Sequence, residues 1–530
     1  MSVETFEGTQ GQSRPHARAA GDGHAVAIGS LTIAAILLAV LPVLLVAHPG
    51  GIDWPNHLAR HAIAHAGESA FYVHEWRLVP NLAADLPIAA LAPLIGVEAA
   101  SRAVLGASIA LWVLAPMVLF RALRGCWSAW PLLAAPFAWN ANVTWGFENY
   151  VLGSALALLA FSAWVAWRPR GLGLLAFAAI AFGVYVAHLF AFALLALLVF
   201  GWELRDLLAR LRRPVDLVAR LAVLGATFLA APAHFVWLQL SDPASHGSLT
   251  LYGGLTSRLV ALLSPVLAAV KAGPVAFGLT GVLLSLLVVL LIDSRRGFDR
   301  RMAWPLVIMG LVALAAPTVA SGVGFTHIRL PFVLLVLLIA SMEPPEGARR
   351  AWVAMGVGAA MLVVTTGSVI SEWNRTDAQI ASIREGLASL PANARLIALD
   401  DPEGIRTLDI SHAVAFAATD RDAFVPHLFS GGTLLWAKNG VRHLDAPQHG
   451  PVAIEKALSR WRGEAVTANR FWASWWRDYS HVLVVGRGTR IEEAGPGVTA
   501  LHRGPAHTLY RLDQGYGHTA RPHARKDTAR

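Results

Sequence analysis

The chain has 530 residues, of which 55% are hydrophobic and only 15% charged, against about a quarter charged in an ordinary soluble domain. This composition excludes a wholly soluble protein. The net charge of +9 does not mark a nucleic-acid binder, because the arginines fall in short clusters between apolar runs rather than along one basic stripe.

In chain order, residues 1–25 are polar, carry Arg14 and Arg18, and read as a disordered cytoplasmic N-terminus. The apolar run that follows lacks a small-residue cleavage site and is long for a signal peptide, so it reads as an uncleaved first helix. Apolar runs lie near 26–47, 99–120, 128–141, 150–167, 217–240, 273–292, 303–320, 328–342 and 350–370. The stretch 171–203 has basic clusters at both ends and must cross twice or not at all; two short helices breaking near Gly183–His188 fit it. At roughly 20 apolar residues per span, these runs predict about 11 transmembrane helices within residues 26–371. Arg121/Arg124, Arg168/Arg170, Arg205/Arg210/Arg212/Arg213, Arg295/Arg296/Arg300/Arg301 and Arg349/Arg350 mark the cytoplasmic loops, which places the N-terminus inside and the C-terminus outside. The single cysteine, Cys126, excludes an intrachain disulfide. No internal repeat is visible.

Three less apolar stretches face the extracytoplasmic side: 48–98, 140–149 and 241–272, the last with an apolar piece at 259–270 that reads as interfacial or re-entrant. From 372 to 515 the composition is that of a soluble protein and the pattern is α/β. Arg395–Asp400 and His481–Gly486 read as buried parallel strands, each after a helical stretch, Thr376–Leu390 and Asn469–Asp478. Gly497–Leu512 reads as a closing hairpin. Residues 516–530 form a basic tail, read as disordered. This part has no G-x-S-x-G and no P-loop, and Ser430-Gly-Gly432 is too weak a glycine signal to read. Its tryptophans Trp461, Trp472, Trp475 and Trp476 read as packing rather than as sugar platforms. It is expected to serve as a lid or acceptor-handling module.

Three constellations carry candidate chemistry. Asp53, in Gly51-Ile-Asp53-Trp-Pro55-Asn-His57-Leu-Ala-Arg60-His61, follows the first helix. One reading makes it the N-cap of a new helix. The other makes it a general base, partly desolvated at the membrane surface. His57, His61 and His65 follow at four-residue steps and share a helix face, either as interfacial histidines or as a metal face. The second constellation is Trp139-Asn140-Ala-Asn142-Val-Thr-Trp145-Gly-Phe147-Glu148-Asn149-Tyr150. Its aromatics fit an interface belt, and Glu148 with the three asparagines fits a polar cavity for hydroxyl-rich ligands. The third is a set of outer-side cations, Arg258, Lys271, His327 and Arg329, with His188 between the two short helices. They read either as groups snorkelling to headgroups or as a clamp for a phosphate at the bilayer edge.

An acidic residue in the first outer loop, a long loop with amphipathic helices, a many-helix body and an outer C-terminal domain resemble the GT-C superfamily, membrane glycosyltransferases that use polyprenyl-phosphate sugars. Asp53-Trp-Pro55-Asn-His57-Leu-Ala-Arg60 and Trp76-Arg77-Leu-Val-Pro80-Asn81 also look like a bacterial group of membrane proteins with GT-C-like architecture. The resemblance implies transfer of a sugar from a polyprenyl-phosphate donor to a hydroxyl of a glycan or lipid acceptor, at the extracytoplasmic face of a bacterial inner membrane. It implies Asp53 as the acid of the loop, acting as base or binding a divalent metal (Mg or Mn) with His57 and His61. The second acid that many members carry beside the first is absent, and Glu148 is the candidate to supply it. His57, Arg60, His188, Asn149, Arg258, Lys271, His327 and Arg329 are the candidates for holding substrate and phosphate. Alternative readings are a transporter or flippase of a lipid-linked or small polar substrate, and a non-catalytic GT-C-like assembly protein.

Overall fold

The structure is a computed structural model that describes residues 15–241, 249–292, 299–320, 322–345, 347–401, 407–426, 428–429, 434–441, 452–461, 475–486, 491 and 497–513. The N-terminal residues 1–14, the tail from 514, Ser430–Gly432, Arg295, Arg296, Trp472 and the side chain of Trp461 lie outside the described residues.

The chain opens with helix α1 (Pro15–Leu45), which starts upstream of the expected 26. Two short helices of the first loop follow, α2 (Trp54–Ala66) and α3 (Asp85–Ile95). Then come α4 (Val97–Arg124), α5 (Ala141–Trp145), α6 (Glu148–Trp167), α7 (Leu172–Ala187) and α8 (Leu189–Ala209). Helices α9 (Pro214–Phe228) and α10 (Ala230–Ser241) form a pair bent by 55°. Helices α11 (Leu255–Leu263), α12 (Leu267–Ala272), α13 (Pro274–Ile292), α14 (Ala303–Ala315) and α15 (Pro331–Ser341) lead to the 40-residue α16 (Ala348–Leu387).

Among the described residues, six helices are long and apolar enough to cross a membrane, or seven if the bent pair is one span. By length and composition, then, fewer helices than the expected count of about 11 qualify as full spans among the described residues, and shorter apolar helices, Asp85–Ile95, Leu172–Ala187 and Thr326–Ser341, stand beside them. The apolar run 128–141 is one reason: it forms a wholly buried 3-10 helix, Trp130–Ala138, with Pro131 and Pro136 inside it. Nine residues at about 2 Å each reach only about 18 Å, so this piece plugs the bundle and does not span. Helix α7 has 16 residues, α14 13 and α15 11, and α8 carries Glu203, Arg205 and Asp206 in its last turns. The stretch 171–203 does break in two, at His188. Residues 255–272, expected as an interfacial or re-entrant piece, count among the six. Val275, Val282, Val289 and Ile292 of α13 stand exposed, as lipid-facing side chains do. A membrane-embedded, multi-pass protein follows.

Helix α16 passes through residue 371, the expected boundary, without a break. At 1.5 Å per residue it is about 60 Å long, twice the hydrocarbon thickness, so one rod carries the membrane body into the C-terminal part. There a five-stranded sheet forms. Its strands are Leu396–Asp401, Val452–Ala453, His481–Gly486, Val498–Gly504 and His507–Leu512. The first is flanked by parallel partners, and the last two make an antiparallel hairpin. Strand residues such as Leu396 and Val482, with Ile410 and Phe416, share one core with Ile380, Ile383 and Leu387 of α16 and Trp54, Leu58 and Ile63 of α2. Tyr72–His74 of the first loop also pairs with Leu435–Ala437. The first loop and the C-terminal part are thus one packed unit. Trp475 is fully buried in it.

Candidate functional site

The segment leaving α1 is held by backbone bonds to the α5 turn: Ile52 N donates to Thr144 O (3.1 Å) and Asp53 N to Trp145 O (2.9 Å). Gly146 makes this possible. Its φ is +83°, and a Cβ there would lie 2.9 Å from Asp53 N, so only glycine lets the two backbones meet. Asp53 stands at the N-cap position of α2, but its side chain makes no capping bond. Its carboxylate lies 3.7 Å from Nε2 of His412, a residue of the 3-10 helix Leu408–Ala415. Asn56 bonds Nδ1 of the same ring. Burial pushes the Asp53 carboxyl up from 3.8 to about 7, against a lowering pull from Arg329, with Glu148 adding to the rise. Burial, and then the charge of Arg60, holds His57 well below its ordinary value.

Asp53 faces a cavity of about 480 Å³, within the usual range for a small-molecule site. His57, Arg60, Asn149, His188 and Arg329 face it too. Trp145, Phe147, Phe325 and Phe429 supply the apolar wall, with Trp145 stacked on Phe325 at 4.1 Å. Arg329 is buried, and its guanidinium lies over the rings of Phe147 (4.7 Å), Phe190 (5.1 Å) and Tyr150 (5.2 Å). Its Nε has no hydrogen-bond partner among the described residues. The aromatic cradle holds a cation with donor capacity left over, which suits an anion. Tyr150 fixes the segment by donating to Arg329 O (2.7 Å). His188 caps α8 by accepting from Phe190 N (3.0 Å).

The other candidates sit elsewhere. Glu148 is not among the lining residues; it is buried 3.9 Å from His61 Nε2, and neither of its oxygens has a hydrogen-bond partner among the described residues. Lys271 is bound to Asp409 (2.5 Å), so its charge is spent on structure. Arg258 donates to Ala316 O, and His327 lies outside the cavity lining. Asn140 donates to Phe137 O and accepts from Asn142, whose Oδ1 is buried with no hydrogen-bond partner among the described residues, and neither residue lines the cavity. Asn149 accepts from Ala84 N (2.7 Å) and donates to Asp85 (3.0 Å).

Two participants escaped the sequence reading. Asp85 is 1% exposed and binds Arg60 (2.9 Å), Asn149 and, at 3.7 Å, His61. Its signal was an acid opening a short apolar helix, which reads equally as an ordinary first-turn acid. His412 carried no local signal at all. The metal set Asp53, His57 and His61 does not converge: Asp53 turns to His412, and His61 lies between Asp85 and Glu148. Among the described residues no group of three or more His, Cys, Asp or Glu side chains is arranged to hold a metal ion.

No protein-family model matches the chain, and no curated protein does. Solved structures match. ArnT from Cupriavidus metallidurans bound to undecaprenyl phosphate has a TM-score of 0.50 at 11% identity, over 92% of this chain and 98% of that one. The same protein in the apo state has a TM-score of 0.49 at 13% identity, over 93% and 98%. The arabinofuranosyltransferase AftD from Mycobacteria has a TM-score of 0.44 at 15% identity, over 92% of this chain and 40% of that one. The likeness to ArnT over nearly the whole of both chains identifies the fold: this is a polytopic membrane protein of GT-C-like architecture.

Proposed function

We propose that the chain is a membrane glycosyltransferase that moves a sugar from a polyprenyl-phosphate donor to a hydroxyl acceptor, a glycan or a lipid, at the extracytoplasmic face of a bacterial inner membrane. The N-terminus is then cytoplasmic, as the arginine clusters require. The observation that carries the reading is the pairing, across one cavity, of an uncapped carboxylate poised near neutrality with an arginine cradled by three aromatic rings. The ArnT structure of the same fold is bound to undecaprenyl phosphate, which supports a lipid-phosphate donor here.

In this reading Asp53 accepts the proton of the acceptor hydroxyl, whose oxygen attacks the anomeric carbon. The bond from that carbon to the phosphate oxygen breaks, and the lipid phosphate leaves as an anion. That leaving group is already a weak base, so it needs no general acid. Arg329 stabilises the developing charge, while Arg60 is neutralised by Asp85. The neutral ring of His57 and the imidazole of His188 are placed to meet sugar hydroxyls. A single displacement inverts the anomeric centre. No step in this reading runs through a metal.

The test is transfer by purified protein in lipid, with polyprenyl-phosphate sugars and mixed acceptors, wild type beside Asp53→Asn. Transfer by wild type that the folded variant lacks supports the reading. Equal transfer by both removes Asp53 as the base. Passage of substrate across vesicles without chemistry would instead establish the transporter.

A further inference from the structure

A second cavity, of about 340 Å³, opens at the other end of the bundle. Helices α6 and α8 both begin at the first cavity, with Tyr150 and His188, and both end at the second, with Trp164 and Trp202. Along α6 the separation from Tyr150 to Trp164 is roughly 20 Å.

This cavity has a built floor. Glu203 is 7% exposed, accepts from Trp164 Nε1 (3.0 Å) and is bound by Arg220 at 2.5 Å. Arg301 is held by Asp299 (2.6 Å) and lies over the Trp202 ring. Gly201 lets α14 approach, since a Cβ there would lie 2.8 Å from the backbone of Pro305, and this brings Trp304 to the rim. Around that floor stand Arg168, Arg170, Arg205, Arg210 and Arg300. None of these five has a carboxylate within ion-pair distance among the described residues.

Arginines at this end satisfy the topology rule wherever they sit in the loops. That rule does not ask them to converge. Seven guanidiniums line one concavity against two carboxylates, those of Glu203 and Asp206. Glu203 and Asp299 offset Arg220 and Arg301, and an anion between the other five would relieve their mutual repulsion. Planar forks with indole walls suit phosphate oxygens, and basic pockets between helices at this membrane face are where anionic headgroups dock.

We infer that this cavity binds a phosphate-bearing anion, separate from any donor at the first cavity, the phosphate being borne either by an acidic lipid headgroup or by a free solute. The full chain in detergent is titrated with cardiolipin, with phosphatidylcholine and with inorganic diphosphate, and the thermal midpoint is followed. Cardiolipin raises the midpoint of wild type, and phosphatidylcholine does not. Arg168→Gln/Arg170→Gln needs about tenfold more cardiolipin or more, as loss of charge-assisted bonds implies. Arg212→Gln/Arg213→Gln removes the same charge from the same face outside the cavity and leaves the response unchanged. The same pattern with diphosphate supports the site with a soluble ligand. If the first double variant does not fold, Arg205→Gln/Arg300→Gln replaces it. No shift with either anion, or equal weakening by the control pair, overturns the inference.

Discussion

Asp53 is defined by a hydrogen bond it does not make. Placed before Trp54-Pro55, it has the sequence of an N-cap, yet its carboxylate leaves the helix end and faces the cavity. Burial then makes it a group that costs stability. The folded carboxyl keeps its proton up to about 7, the unfolded one only to 3.8. Stability from this group is therefore greatest below pH 3.8 and falls as pH rises to about 7. The shift corresponds to a cost on the order of 4 kcal/mol above pH 7. Asp53→Asn is expected to raise the thermal midpoint at pH 8 and to lose that advantage near pH 4, as thermal melts across pH would show. If Asp53 is the base, wild-type transfer should rise through pH 7 as the carboxyl ionises. Arg329→Lys keeps the charge but loses the planar fork stacked over Phe147 and Tyr150. Donor affinity, read by titration with lipid phosphate, should fall about tenfold or more. At this scale the sequence pointed to Asp53, Arg329, His57 and His188 through their chemical type and outer-side position. It could not separate Arg329 from Lys271, because neutralisation by Asp409 depends on a partner far along the chain.

Among elements, the turn after α5 does the positioning. Gly146 has positive φ and lies against the backbone of Asp53 and Trp54. Gly146→Ala should leave a folded protein but displace the Asp53 loop. Misplacement on the ångström scale lowers kcat by about 10- to 100-fold, with donor binding changed less; steady-state kinetics separates the two. Elements were legible where periodicity is strong: the break at His188, the strands 396–401 and 481–486, and the hairpin at 498–512. The apolar run 128–141 misled because hydropathy reports burial without saying what covers the segment. Here the bundle covers it, and a proline-marked 3-10 piece results.

For the whole molecule, the membrane body and the C-terminal part are tied by charge as well as by α16. Asp409 binds Lys271 of α12 and Arg375 of α16, with Glu372 alongside. Asp409→Ala leaves Lys271 and Arg375 to share Glu372 alone and should cost roughly 1.5–3 kcal/mol, as loss of hydrogen bonds to charged groups does, seen as a lowered thermal midpoint with the helix content intact. If Asp409→Ala leaves the midpoint unchanged, this cluster does not couple the two parts. The same tie brings His412 to Asp53, so the C-terminal part completes the first cavity instead of merely covering it.

Composition and apolar run length by themselves determined that this chain lives in a bilayer, because a segment without water must satisfy its own backbone. Arginine placement determined an expected orientation, and a carboxylate beside the first helix marked one end as the place for chemistry. Only the tertiary structure decided which charges remain available. It paired Arg60 with Asp85 and Lys271 with Asp409, left Arg329 in an aromatic cradle, and set His412 against Asp53. A charge acts through its neighbours within a few ångströms, and in this chain those neighbours lie anywhere from 25 residues away, for Arg60 and Asp85, to 138, for Lys271 and Asp409, while Asn56 and His412 meet across 356.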